Sequence, residues 1–441
     1  MKTLLGIIIS VFCFFNAFGQ YTSVNNGNWT NPLTWSPTGV AGIPLPGSTV
    51  TINHNVTLNT PFAYTNGSIT ISTNGSLVHD AAGRDISVSG TGTLTNNGTL
   101  EFRYLLLNNT SVFTNSGTAN IASFANYATI NNSGNLQQLD SLYNDGTLTN
   151  TGLIRTATFY NNNILNNYSE LRGLTTTIDS ITNAGTMLND VNAIVVADSA
   201  LNLGTFTNNG ILDFSRYTNQ GTFTNNNYLS FYDMLNWGTL INTDSIIGSH
   251  SVWNMTSFDN QSTGYIYLAK SFLNGDASLG TNAVFIANGT FELGDSWYNT
   301  DSTKGTTGSI TMQDSSVNTG VMSGSFDFCD YTPPPSSPYV DFNLGTISPS
   351  VTFCVLSGVE DVQQISAVNI YPNPTTGLLN LEGIEEESQV QVFNAQGQLL
   401  EAKTILPNTL QQIDLNRFST GVYWINLSSK STQQTIKILK Q

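Results

Sequence analysis

One asparagine recurs at a nearly constant interval through the middle of the chain. Successive copies lie 16 to 19 residues apart, with one longer step of 25 residues between Asn183 and Asn208. A period of about 17 residues is too short for a globular domain and is typical of a solenoid, in which each repeat buries its core only against its neighbours. The repeating residues are Asn96, Asn115, Asn132, Asn150, Asn167, Asn183, Asn208, Asn225 and Asn242.

Apolar residues recur with the same period as the asparagines and indicate strands. The residue two positions before each Asn is Leu, Ile or Phe, as at Leu94, Leu148 and Phe223. Apolar and polar residues alternate around this position, which is the period of a strand with one buried face. About 17 residues hold three short strands and three bends, the content of one triangular coil. The sequence therefore predicts an all-β fold, a parallel β-helix, which we expect to be right-handed because parallel crossovers generally are.

Two roles are open for the repeated asparagines. An Asn at a bend tolerates left-handed backbone angles. Stacked copies can also hydrogen-bond side chain to side chain along the axis, as they do in other stacked sheets. A second column with the same properties precedes most repeats, and it contains Asn109, Asn126, Asn144, Asn161, Asn202, Asn219 and Asn236.

Other architectures and partners fit the sequence less well. A propeller blade needs about 40 residues per repeat, and a leucine-rich repeat would show its own Leu spacing. A left-handed helix of hexapeptides would show a six-residue period, which these repeats lack. Charged residues make up 10% of the chain and the net charge is -16, which disfavours nucleic acid because phosphates need a basic surface. No cofactor is expected.

The N-terminal segment has the features of a secretory signal peptide over residues 1–19. Lys2 supplies the positive start, and the apolar run that follows is too short to span a bilayer. The mature chain is therefore expected to have no transmembrane helix. Residues 20–50, which contain Trp29 and Trp35, are predicted to cap the first coil of a β-helix that occupies residues 51–326.

A proline run ends the predicted β-helix. Pro333–Pro335 forbid a central strand, so residues 327–358 are predicted to form a linker. The same segment contains Cys329 and Cys354. An oxidising destination favours a disulfide between these two cysteines, with two free thiols as the alternative.

The repeats and the sequence before them resemble known exported proteins. Residues 144–148, 219–223 and 236–240 share the pattern Asn-x-Gly-Thr-apolar. This pattern resembles the repeats of filamentous-haemagglutinin-type secreted adhesins. The stretch Gly27–Trp35 resembles an opening seen before β-helical regions in exported proteins of one bacterial phylum. Both resemblances imply a β-helical fold more than a function.

The C-terminal segment, residues 359–441, contains a distinctive set of motif residues. They are Tyr371, Pro372, Asn373, Pro374, Gly377, Gly397, Gly421, Tyr423 and Lys437. With these residues the segment resembles the type A sorting domain of type IX secretion in Bacteroidetes-type bacteria. The resemblance implies a small immunoglobulin-like β-sandwich that is recognised by the outer-membrane translocon and removed by a sortase-like peptidase. The cargo would then be secreted or attached to the cell surface.

Three functions remain open for the repeat region. Neutral Asn and Thr faces can bind glycans or surfaces weakly and repeatedly, which favours an adhesin-like role. A polysaccharide lyase or hydrolase is the alternative, with Arg155 and Arg172 in one outward column as its charged groove, although no catalytic constellation accompanies them. Paired threonines such as Thr205 and Thr207 resemble the arrays of ice-binding solenoids, a further alternative. No metal site is expected, since the three histidines lack metal-ligand spacing.

Overall fold

The computed structural model describes residues 19–37, 42–332, 340–354, 368–384, 386–407, 411–429 and 433–441. The chain divides into two compact units, Met1–Cys354 and Val355–Gln441. The predicted signal peptide, except for Gly19, and the proline run 333–335 lie outside the described residues. Within the described ranges, no helix has the length and apolar character needed to cross a bilayer. The short 3-10 helix Pro32–Thr34 begins after Asn31, whose side chain accepts a hydrogen bond from the Leu33 amide.

The first unit is a parallel β-solenoid with three faces, which we name face one, face two and face three in their order along each coil. Each face-one strand pairs in parallel with the equivalent strand of the next coil. Trp35–Ser36 joins this sheet antiparallel to its first strand. The parallel strands of face one are Gln20–Ser23, Thr49–Ile52, Ser68–Ile71, Thr93–Asn96, Val112–Asn115, Thr129–Asn132, Thr147–Asn150, Ile164–Asn167, Thr186–Asn189, Thr205–Asn208, Thr222–Asn225, Thr239–Asn242, Ser257–Asn260, Val284–Ala287, Ser302–Gly305, Val321–Gly324 and Thr346–Ile347.

Faces two and three merge into one long strand in the middle coils and are separate in the others. The merged strands are Thr99–Leu107, Thr118–Asn126, Asn135–Asn144, Leu153–Asn161, Ile194–Asn202, Ile211–Asn219 and Tyr228–Asn236. Separate face-two strands are Gly27–Asn28, Asn55–Leu58, Ser76–His79, Glu170–Arg172, Ser245–Gly248, Tyr265–Leu268, Thr290–Leu293, Ser309–Met312, Asp327–Asp330 and Thr352–Phe353. Separate face-three strands are Phe62–Thr65, Asp85–Ser89, Ile178–Asn183, Val252–Asn254, Phe272–Asn274, Trp297–Asn299, Ser316–Asn318 and Phe342–Asn343.

Alternation within each strand builds the core. In Thr147–Asn150 the buried residues are Leu148 and Asn150, whereas the two threonines are partly exposed. Leu148 lies opposite Leu165 of the next coil, so inward residues form continuous columns. A buried Leu side chain contributes about 1.5–3 kcal/mol relative to an exposed one. The predicted all-β coil with one buried face per strand is confirmed.

Glycine makes the close contact between coils at the corners of face one. A Cβ atom added to Gly221 would lie 2.0 Å from the carbonyl oxygen of Gly204, its equivalent one coil earlier. Gly238 stands in the same relation to Gly221, at 2.1 Å. These glycines follow the inward asparagines Asn219 and Asn236 by two residues. The Asn-x-Gly pattern therefore reflects coil-to-coil packing.

The described residues of the segment 20–50 continue the solenoid as its first coil. Gln20–Ser23 pairs in parallel with Thr49–Ile52, which continues face one. Trp29 and Trp35 are buried, with their ring centroids 5.0 Å apart in an edge-on arrangement. The Trp35 indole N–H donates to the Trp29 carbonyl oxygen at 2.9 Å. Both tryptophans therefore belong to the core of this coil, and their burial excludes stacking on a ligand at the surface.

The solenoid also continues beyond the predicted boundary at residue 326. Asp327–Asp330 pairs in parallel with Ser309–Met312, and Thr352–Phe353 pairs with Asp327–Asp330 in turn. The predicted linker 327–358 therefore contributes strands as far as Phe353. The proline run, on which the predicted boundary rested, lies outside the described residues, and the described strands on both sides of it belong to the solenoid. Cys329 and Cys354 form a disulfide across these last strands, with Cα atoms 4.9 Å apart.

The second unit consists of two antiparallel sheets with a shared apolar core, as expected for a small β-sandwich. The core includes Leu379, Val392, Ile413 and Ile425. The three-stranded sheet contains Asn369–Tyr371, Leu378–Glu382 and Gln411–Asp414. The four-stranded sheet contains, in spatial order, Leu399–Ile405, Ser388–Asn394, Gly421–Ser428 and Gln433–Lys440.

Candidate functional site

Two continuous files of asparagine side chains run inside the solenoid, one at each corner of face one. In both files each Nδ2 donates to the Oδ1 of the next Asn at 2.6–2.9 Å. The first file contains Asn96, Asn115, Asn132, Asn150, Asn167, Asn189, Asn208, Asn225, Asn242 and Asn260. The second contains Asn126, Asn144, Asn161, Asn183, Asn202, Asn219, Asn236, Asn254, Asn274, Asn299, Asn318 and Asn343.

Asn183 is the one repeat asparagine that the sequence assigns to the wrong file. Its side chain bonds to Asn161 and Asn202 of the second file, and Asn189 takes its expected place in the first. The inserted residues lie before Ile178, whereas the alignment put the extra length after Asn183. Both corners of face one carry the same Asn-x-Gly pattern. The misplaced insertion therefore assigned Asn183 to the wrong one of these two corners.

Hydrogen bonding, and not backbone conformation, explains the asparagines. Among the described residues, the non-glycine positions with positive φ are Asn66, Asn109, Gln138 and Asn192, and none of them belongs to either file. Asn109 was expected in the second file and lies outside it. A buried amide that lacks partners costs about 1–3 kcal/mol, so the regular bonding sustains these buried columns.

Between Thr49–Ile52 and Thr239–Asn242, face one is a long uncharged surface held between the two files. Its outward residues occupy the first and third positions of each strand, and Thr fills most of them, as in Thr205, Thr207, Thr222 and Thr224. The strands keep an unbroken register from Thr49–Ile52 to Thr239–Asn242. None of the outward positions on these strands is charged.

The arginine column of face two exists as expected. Arg155 lies opposite Arg172, and the column continues into Asp213 and Ser230. Arg172 pairs with Glu170 at 3.0 Å, and Ser230 Oγ donates to Asp213 at 2.6 Å. Arg172 and Asp213 therefore each have a partner on this face, and the column is a shallow polar surface.

The histidines are held by separate local contacts. His250 lies 2.7 Å from Asp233 and stacks on Tyr232, with ring centroids 4.8 Å apart. His54 bonds to the Ser23 hydroxyl and carbonyl groups in the first coil. In the part of the chain that the structure describes, no group of three or more His, Cys, Asp and Glu side chains is placed to hold a metal ion.

In the second unit, Asn373 joins the opening motif to the last strand. Its Nδ2 donates to the Lys437 carbonyl oxygen at 2.7 Å, and its Oδ1 accepts from the Leu439 amide at 2.9 Å. Thr375 continues this pairing, since its amide donates to the Leu439 carbonyl oxygen at 2.8 Å. The motif therefore fastens the C-terminal strand across 64 to 66 residues of sequence.

The remaining motif residues divide into buried and exposed groups. Gly377 is constrained because a Cβ there would lie 2.0 Å from Asn416 Oδ1. Tyr423 is buried and its hydroxyl donates to the Ser419 carbonyl oxygen at 2.5 Å. The Tyr371 hydroxyl donates to Glu382, which raises the Tyr371 pKa. Gly397 has φ 73° in the turn after Asn394, Gly421 begins a strand, and Tyr371, Pro372, Asn373 and Pro374 are exposed.

The comparisons with known proteins bear on this second unit. Residues 369–441 match the family model described as secretion system C-terminal sorting domain. No curated protein and no solved structure matches the chain. The matched segment contains the motif that Asn373 fastens to the last strand. Residues 369–441 are therefore a type IX secretion sorting domain, and the chain is a type IX export substrate whose cargo includes a parallel β-solenoid.

Proposed function

We propose that the protein is an adhesin-like binding rod that acts at the cell surface or in the medium. The observation that carries this proposal is the uncharged, in-register array on face one. Each outward Thr or Asn offers hydrogen-bonding groups to a neutral surface, and repetition along the axis adds weak contacts together. The sorting domain delivers this array to the outside of the cell.

The exposed motif residues Tyr371 to Pro374 are the surface that we propose the translocon recognises. They lie beside the fastened C-terminal strand, so the last residues of the chain complete the surface. A sortase-like peptidase would then remove the domain.

A pair of charges on face one tests the binding role. Thr207 and Thr224 are adjacent in one outward column, so Thr207→Lys/Thr224→Lys places two like charges in the array. We expect the full chain to bind glycan arrays or whole cells, and this variant to lose at least about tenfold in affinity. The control is Thr311→Lys, at a partly exposed position on face two. Equal losses in both variants, or no binding by the parent protein, would contradict the proposal.

A second candidate function, ice binding, is favoured by the geometry of the same face. Thr205 and Thr207 lie about 7 Å apart along their strand, and equivalent residues of neighbouring coils lie about 4.8 Å apart. Threonines in most positions of these two columns, as in Thr205–Asn208 and Thr222–Asn225, form a partly regular lattice of hydroxyl and methyl groups. Ice recrystallisation would be measured with the parent chain and Thr207→Lys/Thr224→Lys. If the parent protein does not inhibit ice recrystallisation at micromolar concentration, the ice-binding function is wrong.

A further inference from the structure

Four tyrosines lie close together on the outer surface of face three. Tyr104, Tyr143 and Tyr160 lie in face-three strands, Tyr104 in the column of Ser123, and Tyr127 directly follows the strand Thr118–Asn126. Tyr143 and Tyr160 are direct partners in neighbouring strands. The ring centroids of Tyr127 and Tyr143 lie 5.6 Å apart, and Tyr127 is also near enough to Tyr104 to raise its pKa. We name this group the tyrosine platform.

The platform combines exposed rings with a covered base. Tyr127 and Tyr160 are 45% and 42% exposed. Ala125 lies between Leu106 and Tyr143 in the same column, alternates with inward residues, and yet is only 7% exposed. The small Ala side chain is flanked by the larger Leu106 and Tyr143 side chains of the two neighbouring coils. The result is an aromatic surface that follows the solenoid axis.

Hydroxyl and amide groups border the rings. Ser123, Ser141 and Thr158 form a column that lies two residues along each strand from the aromatic column. On the other side, the exposed Asn162 donates from Nδ2 to the Tyr143 hydroxyl at 2.7 Å, which fixes that ring. Rings flanked by hydrogen-bonding groups match the chemistry of a sugar chain, whose ring faces are apolar and whose edges carry hydroxyls.

Charge around the platform selects against an anionic ligand. Asp140 and Asp145 are exposed nearby, and Asp85 is already paired with Arg103 at 2.7 Å. We propose that the tyrosine platform binds a neutral polysaccharide chain laid along the solenoid axis, with sugar rings stacked on Tyr127, Tyr143 and Tyr160. This site rests on the proposed binding function and supplies its ligand class.

The test uses the full chain and affinity electrophoresis in gels that contain starch, laminarin, mannan or xyloglucan, with alginate as the anionic probe. Tyr143→Ala/Tyr160→Ala removes two platform rings. The matched control is Tyr168→Ala/Tyr232→Ala, since these two tyrosines are 44% and 52% exposed elsewhere on the solenoid. We expect at least one neutral polysaccharide to retard the parent protein, and the platform variant to bind it about tenfold more weakly, as for loss of central aromatic contacts.

The other results overturn the proposal. Equal weakening in the control variant would show that these rings have no special role. Retention that survives the platform variant but is lost in Thr207→Lys/Thr224→Lys would overturn this site while leaving the binding function in place. Retention by alginate alone, or by none of the four neutral polysaccharides, would overturn the ligand class. Both tyrosine variants should melt within a few degrees of the parent, because the substituted side chains are at the surface.

Discussion

Asn150 shows how a single buried side chain serves three coils. Its Nδ2 donates to Asn167 Oδ1 at 2.8 Å and to the Glu170 carbonyl oxygen at 3.1 Å. Its Oδ1 accepts from Asn132 Nδ2 at 2.8 Å and from the Gly152 amide at 3.3 Å. The amide is fully buried and fully bonded, so it costs little to bury and ties its coil to both neighbours.

Replacing Asn150 should therefore destabilise the folded protein. We expect Asn150→Ala to lower the free energy of unfolding by about 3 kcal/mol, because Asn132 loses an acceptor and Asn167 loses a donor in the interior. The measurement is denaturant unfolding followed by circular dichroism. The control is Asn226→Ala, whose exposed side chain bonds only at the surface and should cost under about 0.5 kcal/mol. Similar losses in both variants would contradict a special role for the internal file.

Tyr217 presents the opposite situation. Its side chain is buried beside Phe214 and Phe223, and among the described residues its hydroxyl has no hydrogen-bond partner. Tyr217→Phe should therefore raise the free energy of unfolding by about 1 kcal/mol, since no hydrogen bond is lost. Tyr64→Phe is the control and should destabilise the protein, because the Tyr64 hydroxyl donates to the Ser48 carbonyl oxygen.

The same residue should affect stability at alkaline pH. Burial raises the Tyr217 pKa well above its ordinary value of 10.0. The folded state therefore keeps a proton that the unfolded state releases, and the stability that depends on it is complete below pH 10 and lost as the pH rises further. The difference in free energy of unfolding between Tyr217→Phe and the parent should therefore grow above pH 10. An advantage that stays constant from pH 7 to pH 11 would contradict this reasoning.

At the scale of one coil, the corner glycines set how closely the strands of face one stack. We expect Gly221→Ala to lower the melting temperature by several degrees, because the added methyl group meets the Gly204 carbonyl oxygen. Gln220→Ala, one residue earlier and exposed, should change it little. Thermal unfolding by circular dichroism gives both values. A Gly221→Ala protein as stable as the parent would show that the corner can widen freely.

The coil was predictable from sequence because its alternation, its corner Asn-x-Gly pattern and its period repeat many times. The assignment of Asn183 failed because two corners with the same pattern cannot be told apart where an insertion interrupts the spacing. The boundary at residue 326 was wrong because it was inferred from the proline run alone, whereas Asp327–Asp330 and Thr352–Phe353 continue the parallel pairing of the solenoid. The tyrosine platform was missed because its members are irregular in sequence and meet only when coils stack.

At the scale of the whole chain, export should depend on the two hydrogen bonds by which Asn373 holds the last strand of the sorting domain. Asn373→Ala removes both bonds to the last strand, so we expect more of the protein to be retained inside the cell and less to reach the surface or medium. Immunoblotting of cell and medium fractions in the native host measures this. Gln396→Ala, in an exposed turn, should leave export unchanged. Normal export of Asn373→Ala would show that the fastening is dispensable.

The first asparagine file stops before either end of the solenoid. Asn96 lies against Ile71 in the preceding coil, and Asn260 lies against Ala287 in the following one. All bonds in the file point the same way, so one terminus would offer an oxygen and the other an N–H group. Two such termini would be complementary, and rods joined head to tail would grow into fibres. Ending the first file on aliphatic neighbours removes the contribution of its asparagines to such head-to-tail joining of exported molecules.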